Sequence, residues 1–317
     1  QPEFLECNWA RDRLDAMRVC VALGIPLREI DLSHEYKEEV VKKMIDDYSN
    51  GVTPNPDVLC NRHIKFGSFL KYAENEGADF IATGHYARIE ESKGVFSLLR
   101  ANDESKDQSY FLHTLGQSDL SRTLFPVGEL KKDEVRALAR KARLPVALKP
   151  DSQGLCFVGD VPMKDFLSRF IGLKKGAVLN INGVEIGTHD GASLYTIGQR
   201  HGFFVKEKSA GANPYFVTAI DASANTISVS ADPKDTMCDK VALNNVHWIS
   251  GVPALKMGVL IQSRYHEPPV KSFVTQEGAY FIVSFEEPHV ASPGQSLVIY
   301  NGDECLGGGA ITNLIRL

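Results

Sequence analysis

No stretch of the 317 residues approaches the ~18 consecutive apolar residues of a membrane-crossing helix. Gln1-Pro2-Glu3-Phe4-Leu5-Glu6 has neither a basic n-region nor an apolar core, so no secretory signal is expected there. Cysteine is scarce, with 6 in 317 residues and no dense spacing, which excludes a secreted disulfide framework. A reducing cytoplasmic location is expected, where any disulfide would be transient and catalytic. Basic residues are not in surplus: 35 Lys and Arg against 40 Asp and Glu give a net charge of −5, which excludes a wholly basic nucleic-acid binder. There is no internal repeat and no low-complexity linker.

What is present is an ordinary globular composition, 43% hydrophobic and 24% charged, long enough for two or three domains. Leu14, Met17 and Val21 recur at helical spacing before Gly24. Residues 27–32 are short and apolar enough for a strand, and Ser33 is a candidate N-cap for a helix presenting Tyr36, Val40, Met44 and Tyr48. Ile64, Phe66, Phe69, Leu70 and Ala73 predict a helix that stops at Gly77. Phe80-Ile81-Ala82-Thr83 then predicts a strand running into Gly84-His85-Tyr86. This alternation indicates a parallel α/β sheet, whose ligands sit beyond the carboxyl ends of the strands, where Gly84 and His85 fall. A satisfied structural histidine is the competing reading of His85.

Two cysteine segments stand out. In Asn55-Pro56-Asp57-Val58-Leu59-Cys60-Asn61, Pro54 and Pro56 remove backbone donors and bias their predecessors towards extended conformations, predicting a stiff loop that ends in a carboxylate and a thiol. Far downstream lies Asp151-Ser152-Gln153-Gly154-Leu155-Cys156-Phe157, where Gly154 permits close backbone approach beside a second thiol. Thiol chemistry and ordinary buried small residues are both open readings. Lys131, Lys132, Arg136, Arg140, Lys141, Arg143 and Lys149 crowd one short stretch, which opens with a predicted helix from about Lys131 to Arg143 whose apolar side is Leu130, Val135, Leu138 and Ala139. That stripe either contacts phosphates or is a solvated face. Beyond about residue 176 the pattern becomes short strands, with hairpin signals at Asn182-Gly183 and Asn301-Gly302 and a break at Ala231-Asp232-Pro233, predicting a small barrel.

Taken together, several segments resemble the tRNA-specific 2-thiouridylase family. They are Thr53–Asn61, Ala82–Tyr86, Lys106–Leu112, Leu124–Leu130, Gly154–Gly159, Thr196–Arg200, Arg264-Tyr265, Pro293–Ser296 and Cys305–Gly309, in the family's order across nearly the whole chain. The resemblance implies an α/β ATP-pyrophosphatase-like domain over 1–162, incomplete at its N-terminus, a central β domain over 163–233 and a C-terminal β-barrel over 234–317. It implies ATP-dependent activation of C2 of the wobble uridine, position 34 of tRNA, and replacement of its oxygen by sulfur. Cys156 matches the persulfide-carrying cysteine, and Cys60 its partner, which releases the sulfur and ends in a disulfide with the first. Asn55, Pro56 and Asp57 match the segment that meets the target base, with Asp57 a candidate proton acceptor. Gly84 matches an ATP-contacting position. His85, Lys106, Asp107, Gln108, Arg264, Tyr265 and Gln295 match tRNA contacts, and Tyr265 is a candidate stacking partner for the base.

The implied cofactors are ATP and Mg2+. An iron–sulfur cluster on Asp57, Cys60 and Cys156 is the alternative to a persulfide route, and the sequence leaves the two open. The implied partners are tRNA, with the Lys, Glu and Gln tRNAs expected, and a sulfur-donor protein such as a cysteine desulfurase or a sulfur-relay protein; no membrane partner is expected. Cys7, Cys20, Cys238 and Cys305 are expected to be structural. The family's opening Ser-Gly-Gly-Val-Asp-Ser-type phosphate loop has no counterpart here. Truncation is the expected reason; a degenerate tRNA-binding homologue or another ATP-dependent adenylating enzyme are the alternatives.

Overall fold

The computed structural model describes residues 9–150, 161–206, 213–254 and 258–316. These divide into two compact units, one comprising 1–40, 56–162 and 303–305, the other 41–55, 163–302 and 306–317.

The first unit opens with helix α1, Trp9–Leu23, ended by Gly24 in the left-handed region. Residues 25–32 form no strand, a departure from the sequence reading; no described segment pairs with them, and a strand without a ladder partner has no place for its backbone hydrogen bonds. Helix α2, Ser33–Tyr36, follows. Ser33 is its first residue rather than its cap, and Asp31 accepts from the Ser33 N–H at 2.9 Å. A π-helical stretch, Lys37–Val41, leads on into α3, Lys42–Ser49, which belongs to the second unit. Tyr36, Val40, Met44 and Tyr48 are all buried, at the helical spacing their sequence positions predict.

Helix α4, Pro56–Leu59, runs through a π-helical Cys60–Phe69 into α5, Leu70–Asn75, with Gly77 turning the chain at positive φ. Strand β1, Ile81–Ala82, lies next. The hairpin of β2, Ala87–Ser92, and β3, Val95–Arg100, turns on Lys93-Gly94, both at positive φ as a two-residue primed turn requires. Its second strand is extended by Glu304 and Cys305, opposite Leu99 and Leu98. After α6, Gln117–Leu120, strand β4, Thr123–Leu124, pairs parallel with β1, Ile81 opposite Thr123. A turn follows at Phe125–Gly128; a Cβ on Gly128 would lie 1.8 Å from the Ala87 carbonyl oxygen, so only glycine fits. Helix α7, Lys132–Lys141, buries no residue fully; of the apolar side expected of it Leu130, Val135 and Ala139 are half-buried and Leu138 is exposed.

The second unit contains α8, Met163–Leu167, and a five-stranded sheet. Its strands are β5, Gly176–Leu179; β6, Glu185–His189; β7, Phe203–Val205; β8, Phe216–Asp221; and β9, Thr226–Ser230, in the order β7-β6-β5-β9-β8. The β5–β6 hairpin turns at Asn182-Gly183, as its sequence predicts, with Gly183 at positive φ. Val178, Tyr195, Val217, Ile227 and Val229 form the core here.

Six antiparallel strands close the barrel: β10, Met237–Trp248; β11, Gly258–Gln262; β12, Val270–Glu277; β13, Tyr280–Val290; β14, Ser296–Asn301; and β15, Glu304–Ile315. The order β10-β13-β12-β11-β14-β15 returns from β15 to β10 and leaves no open edge. Val241, Leu243, Ile261, Val283, Leu297 and Ile299 fill its interior. Gly307-Gly308-Gly309 lies within β15; a Cβ on Gly307 would meet the His247 carbonyl oxygen at 2.0 Å. Cys238 and Cys305 are buried, and burial pushes the Cys238 thiol up to about 11, in keeping with structural roles. The chain is thus an α/β domain with a parallel sheet, followed by a central β domain and a closed antiparallel β-barrel.

Candidate active site

The expected site residues fall in both units, and each group is described within its own. In the first, the predicted stiff loop is helical from Pro56 onward. Proline is well suited to a first helical position, because its missing N–H would have no intrahelical acceptor and its φ is already helical. Asp57 lies in the first turn, where a carboxylate meets the positive end of the helix dipole. Cys60 follows three residues later, so carboxylate and thiol share a helix face rather than ending a loop. Cys60 is completely buried and Asp57 half-buried. Cys156, with the rest of 151–160, lies outside the described residues.

Gly84 sits exposed beyond the carboxyl end of β1, with no atom within 4 Å of where a Cβ would be. That is the position at which a parallel sheet offers its ligand space. His85, next in the chain, turns inward. Its ring lies 5.7 Å from that of Phe66 and 5.9 Å from that of Phe125. Lys65 Nζ donates to Nε2 at 3.4 Å, and because an ammonium only donates, Nδ1 carries the hydrogen given to Thr83 Oγ1 at 2.8 Å. Burial, with Lys65 adding to it, lowers the imidazole to about 3. His85 is therefore neutral and buried.

In Lys106-Asp107-Gln108 the outer two residues are half-buried. Asp107 is buried, and its Oδ1 accepts from the N–H groups of Ala101 at 3.2 Å and Ser109 at 3.1 Å. Its Oδ2 accepts from Ser109 Oγ at 2.9 Å and lies 3.5 Å from Arg100 Nη1. Burial raises its pKa against these lowering contacts. Gln108 bonds the Tyr86 backbone in both directions, its Oε1 accepting from the Tyr86 N–H at 3.0 Å and its own N–H donating to the Tyr86 oxygen at 2.8 Å. Asp107 and Gln108 thus fix the loop that carries Lys106.

In the second unit Asn55 follows a tethered backbone. Gln295 Nε2 donates to the carbonyl oxygens of Thr53 and Pro54, both at 2.9 Å. Arg264 Nη2 donates to the Ile197 oxygen at 2.7 Å, which also accepts from Ser292 Oγ. Tyr265 is half-buried, and its ring lies 3.8 Å from that of His266 between centroids, tilted by 41°. Beneath this turn is a cluster no sequence spacing announces: Ser263 Oγ donates to Glu267 Oε2 at 2.9 Å and lies 3.0 Å from His289 Nε2. Burial opposes ionisation of Glu267, but His289, Ser263 and Arg264 together hold its carboxyl below the usual range. The register of β13 brings His289 there, a relationship only strand pairing sets.

Part of the basic stripe is engaged within the first unit. Lys149 Nζ bridges Asp12 at 2.7 Å and Asp15 at 2.8 Å, and Arg136 donates to the Ala147 oxygen. Among the described residues no group of three or more His, Cys, Asp or Glu side chains is placed to hold a metal ion. Among them, too, no helix is long and apolar enough to cross a membrane.

Three family models match the chain: tRNA methyl transferase HUP domain over residues 1–160, tRNA methyl transferase PRC-barrel domain over 164–231, and aminomethyltransferase beta-barrel domain over 238–311. The tRNA-specific 2-thiouridylase MnmA of Xanthomonas campestris pv. campestris is 43% identical over 312 residues, covering 96% of this chain and 82% of that protein. Its namesake from Nitrosococcus oceani is 43% identical over 313 residues, covering 97% and 85%. The Bacillus subtilis protein of the same name is 39% identical over 316 residues, covering 98% and 84%. With an α/β domain, a central β domain and a closed barrel in this order, and relatives matched along almost its whole length, the chain belongs to the tRNA-specific 2-thiouridylase family of sulfurtransferase enzymes.

Proposed function

We propose that this chain replaces the C2 oxygen of the wobble uridine of tRNA, position 34, with sulfur. The observation that carries the reading is the helix opened by Pro56, which sets Asp57 and Cys60 one turn apart directly after Asn55. A carbonyl oxygen is a poor leaving group, and ATP, taken with Mg2+, supplies the adenylyl group that makes it a good one. Gly84 leaves open space for the nucleotide at the end of β1. Asn55, Pro56 and Asp57 hold the base, which has to be unstacked to be reached, and Asp57 accepts its proton.

Cys156 carries the incoming sulfur as a persulfide. Its terminal sulfur attacks C2, the adenylate leaves as AMP, and a disulfide links Cys156 to the base. The Cys60 thiolate then attacks the Cys156 sulfur, the bond to the terminal sulfur breaks, and its electron pair stays with the thiocarbonyl of the product. A Cys60–Cys156 disulfide remains, which a dithiol reductant reopens. The attacking species is the thiolate, and a free thiol, with pKa ~8.5, is mostly protonated at neutral pH. Asp57, Cys60 and Cys156 are also the side chains an iron–sulfur cluster would take. Lys106, Arg264 and Tyr265 meet the RNA, on loops shaped by His85, Asp107, Gln108 and Gln295. The donor of the persulfide is a desulfurase or relay protein, and the preferred substrates are the Lys, Glu and Gln tRNAs. The division at about residues 162 and 233 belongs to the same reading.

The test is mass spectrometry of nucleosides from unmodified tRNA incubated with Mg-ATP and a sulfide source. The chain, and a version also carrying the family's phosphate loop, are each compared with Cys156→Ala. Formation of 2-thiouridine that Cys156→Ala abolishes supports the reading. If both versions bind tRNA yet form none, a binding protein replaces the enzyme.

A further inference from the structure

The sequence Pro54-Asn55-Pro56 is unusual in what it removes: two of three successive residues have no backbone N–H. A segment so poor in donors is best anchored through its carbonyl oxygens, and carbonyls need side-chain or backbone donors brought from elsewhere. Gln295 supplies them. A carboxamide nitrogen has two hydrogens, and those of Gln295 go to two successive carbonyls, Thr53 and Pro54, each at 2.9 Å.

The donor is itself held rigidly. The Gln295 carbonyl oxygen accepts from the Ile311 N–H at 2.9 Å, and the Gly294 N–H donates to the Ile311 oxygen at 2.8 Å, tying the turn to β15. Gly294 has φ +87°, and a Cβ there would lie 2.2 Å from Val52 Cγ1 and 2.7 Å from the Thr53 oxygen. The turn therefore approaches residues 52–53 as closely as backbone can. On its side chain, Thr53 Oγ1 lies 2.9 Å from Thr196 Oγ1 and 3.4 Å from the Tyr195 oxygen. Backbone and side chain of Thr53 are thus both fixed, and Asn55 is the second residue beyond it.

We propose that Gln295 is a positioning residue for thiolation: its amide hydrogens fix the Thr53–Pro54 backbone and so set where Asn55 meets the target uridine. This rests on the 2-thiouridylase reading above. A family position expected to touch tRNA thereby acts through the protein segment it holds.

The informative variant is Gln295→Glu, nearly the same shape but with a carboxylate facing two carbonyl oxygens. That repulsion raises the carboxyl pKa and releases the segment, whereas the protonated acid regains one O–H donor. The expected result is a fall in single-turnover thiolation of about ten- to a hundred-fold at about pH 8, the scale of a displaced reacting group. The deficit relative to wild type narrows towards about pH 6, where protonation begins to restore a donor. Gln295→Ala shows the same fall without the pH recovery, and its tRNA affinity changes less than about three-fold. A parallel loss of affinity and rate, or a deficit that does not depend on pH in Gln295→Glu, overturns the proposal. Amide hydrogen exchange of the peptide spanning 50–57 tests the clamp without turnover. Faster exchange in Gln295→Ala is expected, and unchanged exchange overturns it even if the wild type makes no 2-thiouridine.

Discussion

Lys65 Nζ donates to His85 Nε2 at 3.4 Å, a cation placed against an imidazole that is already buried. Both burial and Lys65 disfavour the imidazolium, and the ring is lowered to about 3. Folded and unfolded chains therefore differ in proton uptake between about pH 3 and the ordinary ~6.5 of histidine. In that window the unfolded chain binds a proton that the folded chain refuses. The stabilising effect is complete above about 6.5 and is lost as pH falls towards 3. Denaturant midpoints at about pH 7.5 and about pH 5 should drop further for the wild type than for His85→Gln, which cannot titrate. Equal drops would mean that His85 is not held neutral.

Asp107 invites a second test. In Asp107→Asn the oxygen keeps the two backbone N–H groups, but the new NH2 faces the Arg100 guanidinium, donor against donor, and the Ser109 hydroxyl has to turn from donor to acceptor. A loss of about 1–3 kcal/mol is expected from denaturant unfolding, with the loop bearing Lys106 loosened. Stability equal to the wild type would show that the Arg100 contact contributes little.

Gly294→Ala places a methyl where Val52 and the Thr53 carbonyl already are, at a backbone angle that alanine resists. A destabilisation of about 1–3 kcal/mol is expected, together with reduced thiolation. Retained thiolation with lowered stability would separate the turn's structural role from the site.

Glu267→Gln removes the charge that Ser263 and His289 organise beneath Arg264 and Tyr265. With His289 no longer paired to a carboxylate, the turn relaxes. The expected outcome is a tRNA dissociation constant raised by about three- to ten-fold, equivalent to about 1 kcal/mol, read by filter binding at fixed salt. An unchanged constant would place the cluster outside RNA recognition.

The sequence by itself determined a good deal. Alternation of apolar helix and strand named the α/β half, and Asn182-Gly183 and Asn301-Gly302 marked hairpins, because such turns need residues that tolerate positive φ. Motif order along the chain carried the family resemblance. These are local properties, legible from neighbours in sequence. The same logic failed where a partner decides the outcome. Residues 27–32 have strand composition but no ladder, and Pro56, read as part of a stiff loop, starts a helix because a first helical position tolerates proline.

Tertiary structure alone decided which site residues face outward. Nothing local distinguishes the buried, neutral His85 from the exposed Gly84 beside it; the Phe66, Phe125 and Lys65 side chains do. Gln295 and Thr53 are 242 positions apart, and no spacing rule relates them. Their hydrogen bond exists because a closed barrel fixes the 293–295 turn, and because a proline-rich segment short of donors has carbonyls to offer it.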